Sequence, residues 1–215
     1  MSDRKSIDEI RERIVGDGVI LCVRFGGMGG VVDACRAAAR GGLRILEITL
    51  TTPGWSEVIE ELSGDKDLSV GGGTVLTVEE VRAVANAGGQ FALSPVFDPA
   101  VVDEALRLGL LPMPGAATPG EILAAHRHGA PLVKIFPAGA LGGPDYIRAI
   151  RGPLPQVPLV PTSGPSSETI ADYVAAGAVA VGVGREVFPP GFDLDGAEAA
   201  ARRVRSAMDL AKGRV

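Results

Sequence analysis

Short apolar runs recur along this sequence at intervals of roughly 20 to 25 residues, and a helix-like segment follows each one. The runs are Val19–Phe25, Leu43–Leu50, Leu68–Val70, Phe91–Ser94, Leu110–Met113, Leu132–Phe136, Pro158–Val160 and Val179–Val183. Proline, capping residues and glycine punctuate the segments between them. Thr52-Pro53, Asp98-Pro99 and Thr118-Pro119 open helices, Thr77 to Glu80 forms a capping box, and Gly41-Gly42 closes a helix. Apolar strands alternating with helices dictate a parallel sheet. Eight such units within about 200 residues predict a closed (β/α)8 barrel of the TIM type. Residues 1–215 are expected to form a single domain with a short N-terminal helix over 6–15, capped by Ser6 and Glu9. An open doubly wound sheet is the competing arrangement. It would want Gly-x-Gly-x-x-Gly after the first strand, and Gly26-Gly27-Met28-Gly29-Gly30 is only a faint echo of that.

Composition narrows the class. The chain is 46% hydrophobic and 22% charged, with a net charge of −5 spread over both signs, which argues against nucleic acid as the main partner. No apolar run reaches the roughly 18 residues of a membrane span, and the charged N-terminus does not read as a signal peptide. Cys22 and Cys35 have no metal-type spacing and read as reduced core residues of a cytoplasmic protein, with no metal or other cofactor expected. The two histidines, His126 and His128, fall at one helix end and read as solvated.

The sixth strand carries a lysine among apolar neighbours, Leu132-Val133-Lys134-Ile135-Phe136. Burying a charge is costly, and desolvation favours the neutral amine, which attacks ketones. The second strand, Arg44-Ile45-Leu46-Glu47-Ile48-Thr49-Leu50, places Glu47 and Thr49 on one face and Leu46, Ile48 and Leu50 on the other. The aliphatic face should meet the helices, which turns Glu47 into the barrel. Strands two and six are both even, so Glu47 and Lys134 belong to the same kind of interior layer. A buried ion pair alone adds little stability, so the pair is expected to serve proton transfer and nucleophilic attack.

Other strand ends are also polar. Arg24 follows five apolar residues and suits a carboxylate or phosphate; alone it fits a rim salt bridge equally well. Thr74 follows three glycines, where amides and a hydroxyl suit an anion or simply make a tight turn. Strands seven and eight end in Thr162-Ser163-Gly164 and Gly184-Arg185, where barrels commonly bind phosphate.

Together Leu46 to Pro53, Gly71 to Leu76, Ser94-Pro95, Pro114 to Pro119 and Val133 to Ala138 resemble the 2-keto-3-deoxy-6-phosphogluconate and -6-phosphogalactonate aldolases, in order and over nearly the whole chain. The resemblance implies a class I aldolase, usually a homotrimer, acting on a small keto acid without metal. It implies Lys134 as Schiff-base lysine and Glu47 as general acid/base, with Arg24 and Thr74 at the pyruvate carboxylate and Phe136 beside the imine. Ser94, Pro95, Thr162, Ser163, Gly164, Gly184 and Arg185 complete the implied substrate site. Gluconate-type members commonly carry arginine where this chain has Thr51, and Arg24, Gly54-Trp55 and Gly143 to Ile147 look more like the galactonate branch. Arg185 replaces the usual serine of the phosphate loop. The implied substrate is therefore a 6-phospho sugar acid of either epimer, with 4-hydroxy-2-oxoglutarate or an unphosphorylated sugar acid as alternatives. A phosphate-binding isomerase barrel, which needs no inward lysine, is the more distant rival.

Overall fold

A computed structural model describes residues 6–27 and 29–214. The chain runs α1 (Ile7–Asp17), β1 (Val19–Val23), α2 (Val31–Arg40), β2 (Ile45–Thr49), α3 (Trp55–Ser63), β3 (Ser69–Gly73), α4 (Val78–Asn86), β4 (Phe91–Leu93) and α5 (Pro99–Arg107). It continues through β5 (Leu111–Met113), β6 (Gly115–Ala116), α6 (Pro119–Arg127), β7 (Val133–Ile135), α7 (Gly143–Arg151), β8 (Leu159–Pro161), α8 (Ile170–Ala175), β9 (Val181–Val183) and α9 (Leu194–Ala211). Every strand pairing is parallel, in the orders β5-β4-β3-β2-β1-β9 and β6-β7-β8. A bridge between Thr162 and Gly182 joins β8 to β9, so the two sheets close into the expected (β/α)8 barrel.

The barrel's fifth strand is not the single run expected over Leu110–Met113. At Pro114, which has no N–H to donate but whose carbonyl accepts from the Lys134 amide, it changes partner and divides into β5, paired with β4, and β6, paired with β7. Gly115 sits so close to the Pro95 carbonyl that a Cβ would fall 2.2 Å from that oxygen. The strand expected at Leu68–Val70 also runs further, through the glycines to Gly73. Those glycines pair with β2, setting Gly71 opposite Glu47 and Gly73 opposite Thr49. They are strand residues because their neighbours leave no room for side chains. A Cβ on Gly71 would fall 2.3 Å from the Phe91 ring and 2.4 Å from its carbonyl oxygen. The helix expected from Thr52-Pro53 begins only at Trp55, because Gly54 at φ 68° is its N-cap and Thr52 is engaged elsewhere.

Period-two alternation divides the strands into two faces. Leu21, Val23, Leu46, Ile48, Val70, Val133, Ile135, Val181 and Val183 pack outward against the helices. Ile20, Ile45, Phe91, Leu93, Leu111, Met113, Leu132, Val160 and Ala180 point inward and share a cluster with Ile10 and Ile14 of α1. These inward residues lie at or just before the starts of most of their strands. Helix α1, begun by the Ser6–Glu9 capping box, therefore stoppers the N-terminal end of the barrel. Its last carbonyls accept from α9 and the residues after it: Val15 from Lys212, Gly16 from Arg214, and Asp17 from Arg205. The opposite, C-terminal mouth is left for chemistry.

Gly71→Ala should cost about 1–3 kcal/mol by overpacking against Phe91. The check is urea unfolding, and an unchanged midpoint would show that β3 can shift freely.

Candidate active site

Alternation along β2 sends Ile45, Glu47 and Thr49 inward, and along β7 it sends Leu132 and Lys134 inward. Glu47 is 1% exposed and Lys134 5%. Across the barrel, Lys134 Nζ donates to Glu47 Oε1 at 3.2 Å. The Nζ also stands 5.6 Å from the Phe136 ring centroid, and Phe136 rises half-exposed at the mouth. On β3, Gly73 flanks the carboxylate so closely that a Cβ would meet Oε1 at 2.3 Å. Oε2 of Glu47 is buried with no hydrogen-bond partner among the described residues. An amine and a carboxylate in contact, one oxygen still uncommitted, can exchange a proton and act in turn as nucleophile and base.

A second group assembles above this pair. Arg24, just past β1, donates through Nη1 to Thr51 Oγ1 at 2.5 Å and through Nη2 to Thr74 Oγ1 at 3.0 Å. Thr51 and Thr52 are each 3.1 Å from the hydroxyl of buried Thr49, and the Phe25 amide donates to Thr52. Thr74 adopts φ 62°, an outlier for a β-branched residue and a conformation that costs on the order of 1–3 kcal/mol. Among the described residues Arg24 has no carboxylate partner, so its guanidinium is held by hydroxyls and open to an anion.

The remaining expected residues are distributed around the mouth. Thr162 is buried, and its hydroxyl lies over Gly182, where a Cβ would meet it at 2.5 Å. Ser163 at φ 62° and Gly164 are exposed beyond β8. Gly184 packs on the Cys22 carbonyl. Ser94 is buried and turned to its own loop, accepting from the Val96 amide, while the Pro95 carbonyl abuts Gly115. Arg185 is exposed and makes no hydrogen bond or ion pair among the described residues. Beside it Glu186 ties the two loops together by accepting from the amide and hydroxyl of Ser167. The histidines differ from expectation: both are half-buried, and His128 pairs with Asp103 and meets the Phe97 ring edge-on. The sequence reading missed Cys22, Thr51 and Thr52. Only strand register and the turn after β2 bring them to the site, although Cys22 shares its strand face with Arg24.

Four similarities to known proteins bear on this geometry. Residues 10–198 match the model of the family described as "Aldolase: KDPG and KHG aldolase". A 2-dehydro-3-deoxy-phosphogluconate aldolase of Treponema pallidum is 40% identical over 145 residues, 67% of this chain and 69% of that protein. A probable 2-dehydro-3-deoxy-6-phosphogalactonate aldolase of Rhizobium meliloti is 36% identical over 175 residues, 80% of this chain and 82% of that one. Among solved structures, a KDPG aldolase of Legionella pneumophila, with pyruvate captured as a covalent carbinolamine, superposes with a TM-score of 0.77 at 27% identity, covering 94% of this chain and 97% of that one. Among the described residues, no helix is long and apolar enough to cross a membrane.

Both thiols are pushed up to about 12, Cys22 by burial and then by the Glu47 charge, Cys35 by burial. Below that value both stay protonated, so alkylation near pH 8 should run roughly a thousandfold slower than for an unperturbed thiol. Because the folded values are raised, the stability they contribute is present below the unfolded thiol value and lost as pH rises above it. Mass spectrometry after iodoacetamide, native against urea-unfolded, checks this. Rapid native labelling of either residue would contradict it.

Proposed function

The chain belongs to the KDPG and KHG aldolase family, and from that premise we propose that residues 1–215 form one catalytic domain cleaving a 2-keto-3-deoxy-6-phospho sugar acid through an imine on Lys134. The products are pyruvate and glyceraldehyde 3-phosphate. The observation that carries the reading is the buried 3.2 Å contact between Lys134 Nζ and Glu47 Oε1. The carbinolamine captured with pyruvate in the Legionella relative supports the same chemistry.

The steps follow from that contact. Glu47 takes a proton from the Lys134 ammonium, and the neutral amine attacks the C2 ketone. The protonated Glu47 returns its proton to the carbinolamine hydroxyl, water leaves, and an iminium forms. Glu47, again a carboxylate, accepts the proton of the C4 hydroxyl as the C3–C4 bond breaks. The bond's electron pair passes to the iminium, giving a pyruvate enamine and the free aldehyde. Glu47 then protonates C3, and water releases pyruvate from Lys134. Arg24 and Thr74 hold the substrate carboxylate, Phe136 covers the imine, and Ser94, Pro95 and Thr162 line the path of the C4 hydroxyl. Ser163, Gly164, Gly184 and Arg185 face the distal phosphate. 4-Hydroxy-2-oxoglutarate is the alternative substrate, since the exposed Arg185 guanidinium suits a terminal carboxylate as well as a phosphate. The working form we infer is a cytoplasmic homotrimer, on family likeness.

Borohydride reduction in the presence of pyruvate should fix a pyruvyl adduct on Lys134, located by peptide mass mapping. An adduct elsewhere, or none, would overturn the imine. Lys134→Ala should lose turnover entirely. Glu47→Gln should still form the adduct while kcat falls about 10²- to 10⁴-fold. Arg185→Ser should change the ratio of kcat/KM between phosphorylated and unphosphorylated substrates, and an unchanged ratio would place Arg185 outside the site.

A further inference from the structure

The Glu47 carboxylate is served unevenly. Oε1 accepts from Lys134, while Oε2 is buried and has no hydrogen-bond partner among the described residues. Register decides what can reach it. On the β3 side stands Gly73, which brings no side chain. On the β1 side stands Cys22, the register partner of Glu47. Ile20 and Ile45, two residues earlier on the same strands, both lie in the barrel interior, so alternation turns Cys22 and Glu47 inward together. Leu21, Val23, Leu46 and Ile48 lie in the outer layer. The thiol and the carboxylate are thus cross-strand neighbours on one inner face, and the charged groups acting on the thiol are Glu47, Lys134 and Arg24. It keeps its proton throughout the neutral range, because burial and the Glu47 charge raise it to about 12. A protonated thiol is a weak donor, and a carboxylate is the acceptor that strengthens it most. Cys22 is also partly exposed where Glu47 is not.

We propose that Cys22 is a positioning residue for the proton-transfer step: its S–H donates to the Glu47 carboxylate and sets the plane in which the two oxygens face Lys134 and the reacting carbons. This rests on the imine reading above. Its test is exchange of the pyruvate methyl protons in D₂O, followed by NMR. That reaction needs imine formation and proton transfer at C3 but no aldehyde. Cys22→Val should lower the maximal exchange rate about three- to tenfold, leave the pyruvate KM and the borohydride adduct on Lys134 nearly unchanged, and keep the wild-type melting temperature within a few degrees. Cys22→Ser, which keeps a donor, should restore most of the rate; Cys22→Ala replaces the valine variant if valine overfills the site. A side chain that merely packs would rank valine at or above serine. Valine exchanging as fast as wild type, or serine as slow as valine in folded protein, would overturn the proposal while leaving the imine intact. Wild-type protein that neither exchanges nor forms the adduct would overturn the imine reading and this one with it.

Discussion

Lys134 and Glu47 are held almost wholly out of water, and such a pair gains little net stability because desolvation offsets attraction. Removing either partner alone leaves the other buried and uncompensated. Much of the surrounding structure can be understood as the means of holding this contact. Parallel strands with period-two alternation aim both side chains inward from opposite sides of the barrel. Gly73 gives the carboxylate its room on one flank, and the Phe136 ring offers the ammonium its negative face at the mouth.

The two ends of the barrel have different tasks. At the N-terminal end, α1 inserts Ile10 and Ile14 into the interior cluster, and α9 and its tail secure α1 with cations on its final carbonyls. At the C-terminal end stand the two non-glycine residues at positive φ among the described residues, Thr74 and Ser163, together with the exposed Arg185 and a buried carboxylate oxygen of Glu47 that has no hydrogen-bond partner among them. The positive-φ backbone strain is confined to the face left open for substrate, where it bears on binding rather than on folding.

Much of this was legible in the sequence, and the failures are local. The eightfold alternation reads directly from apolar periodicity. Glu47 and Lys134 stand out because each is a charge on a strand whose other face is wholly aliphatic. The extent of β3 was not legible, because Gly71 to Gly73 look like a loop until Phe91 and Glu47 are known to crowd them. The break at Pro114 needed the knowledge that the strand changes partners there. The hydroxyl partners of Arg24 come from 27 and 50 residues away, a distance that only the closed barrel spans. Cys22 read as core because a cysteine in an apolar strand usually is, and its neighbour Glu47 appears only through register.

The tie between the first and last elements bears on how this chain folds. β1 pairs with β9, α2 is bridged to α9 through Arg40 and Glu198, and Arg205 reaches back to Asp17. The strand that carries Cys22 and leads to Arg24 thus lacks one of its neighbours until the far end of the chain arrives. Contacts of such long sequence separation slow folding, because loop closure must precede the interactions that reward it. Synthesis from the N-terminus therefore leaves β1 with an open edge through most of translation. The barrel mouth, and with it the site, is among the last parts of the molecule to come into existence.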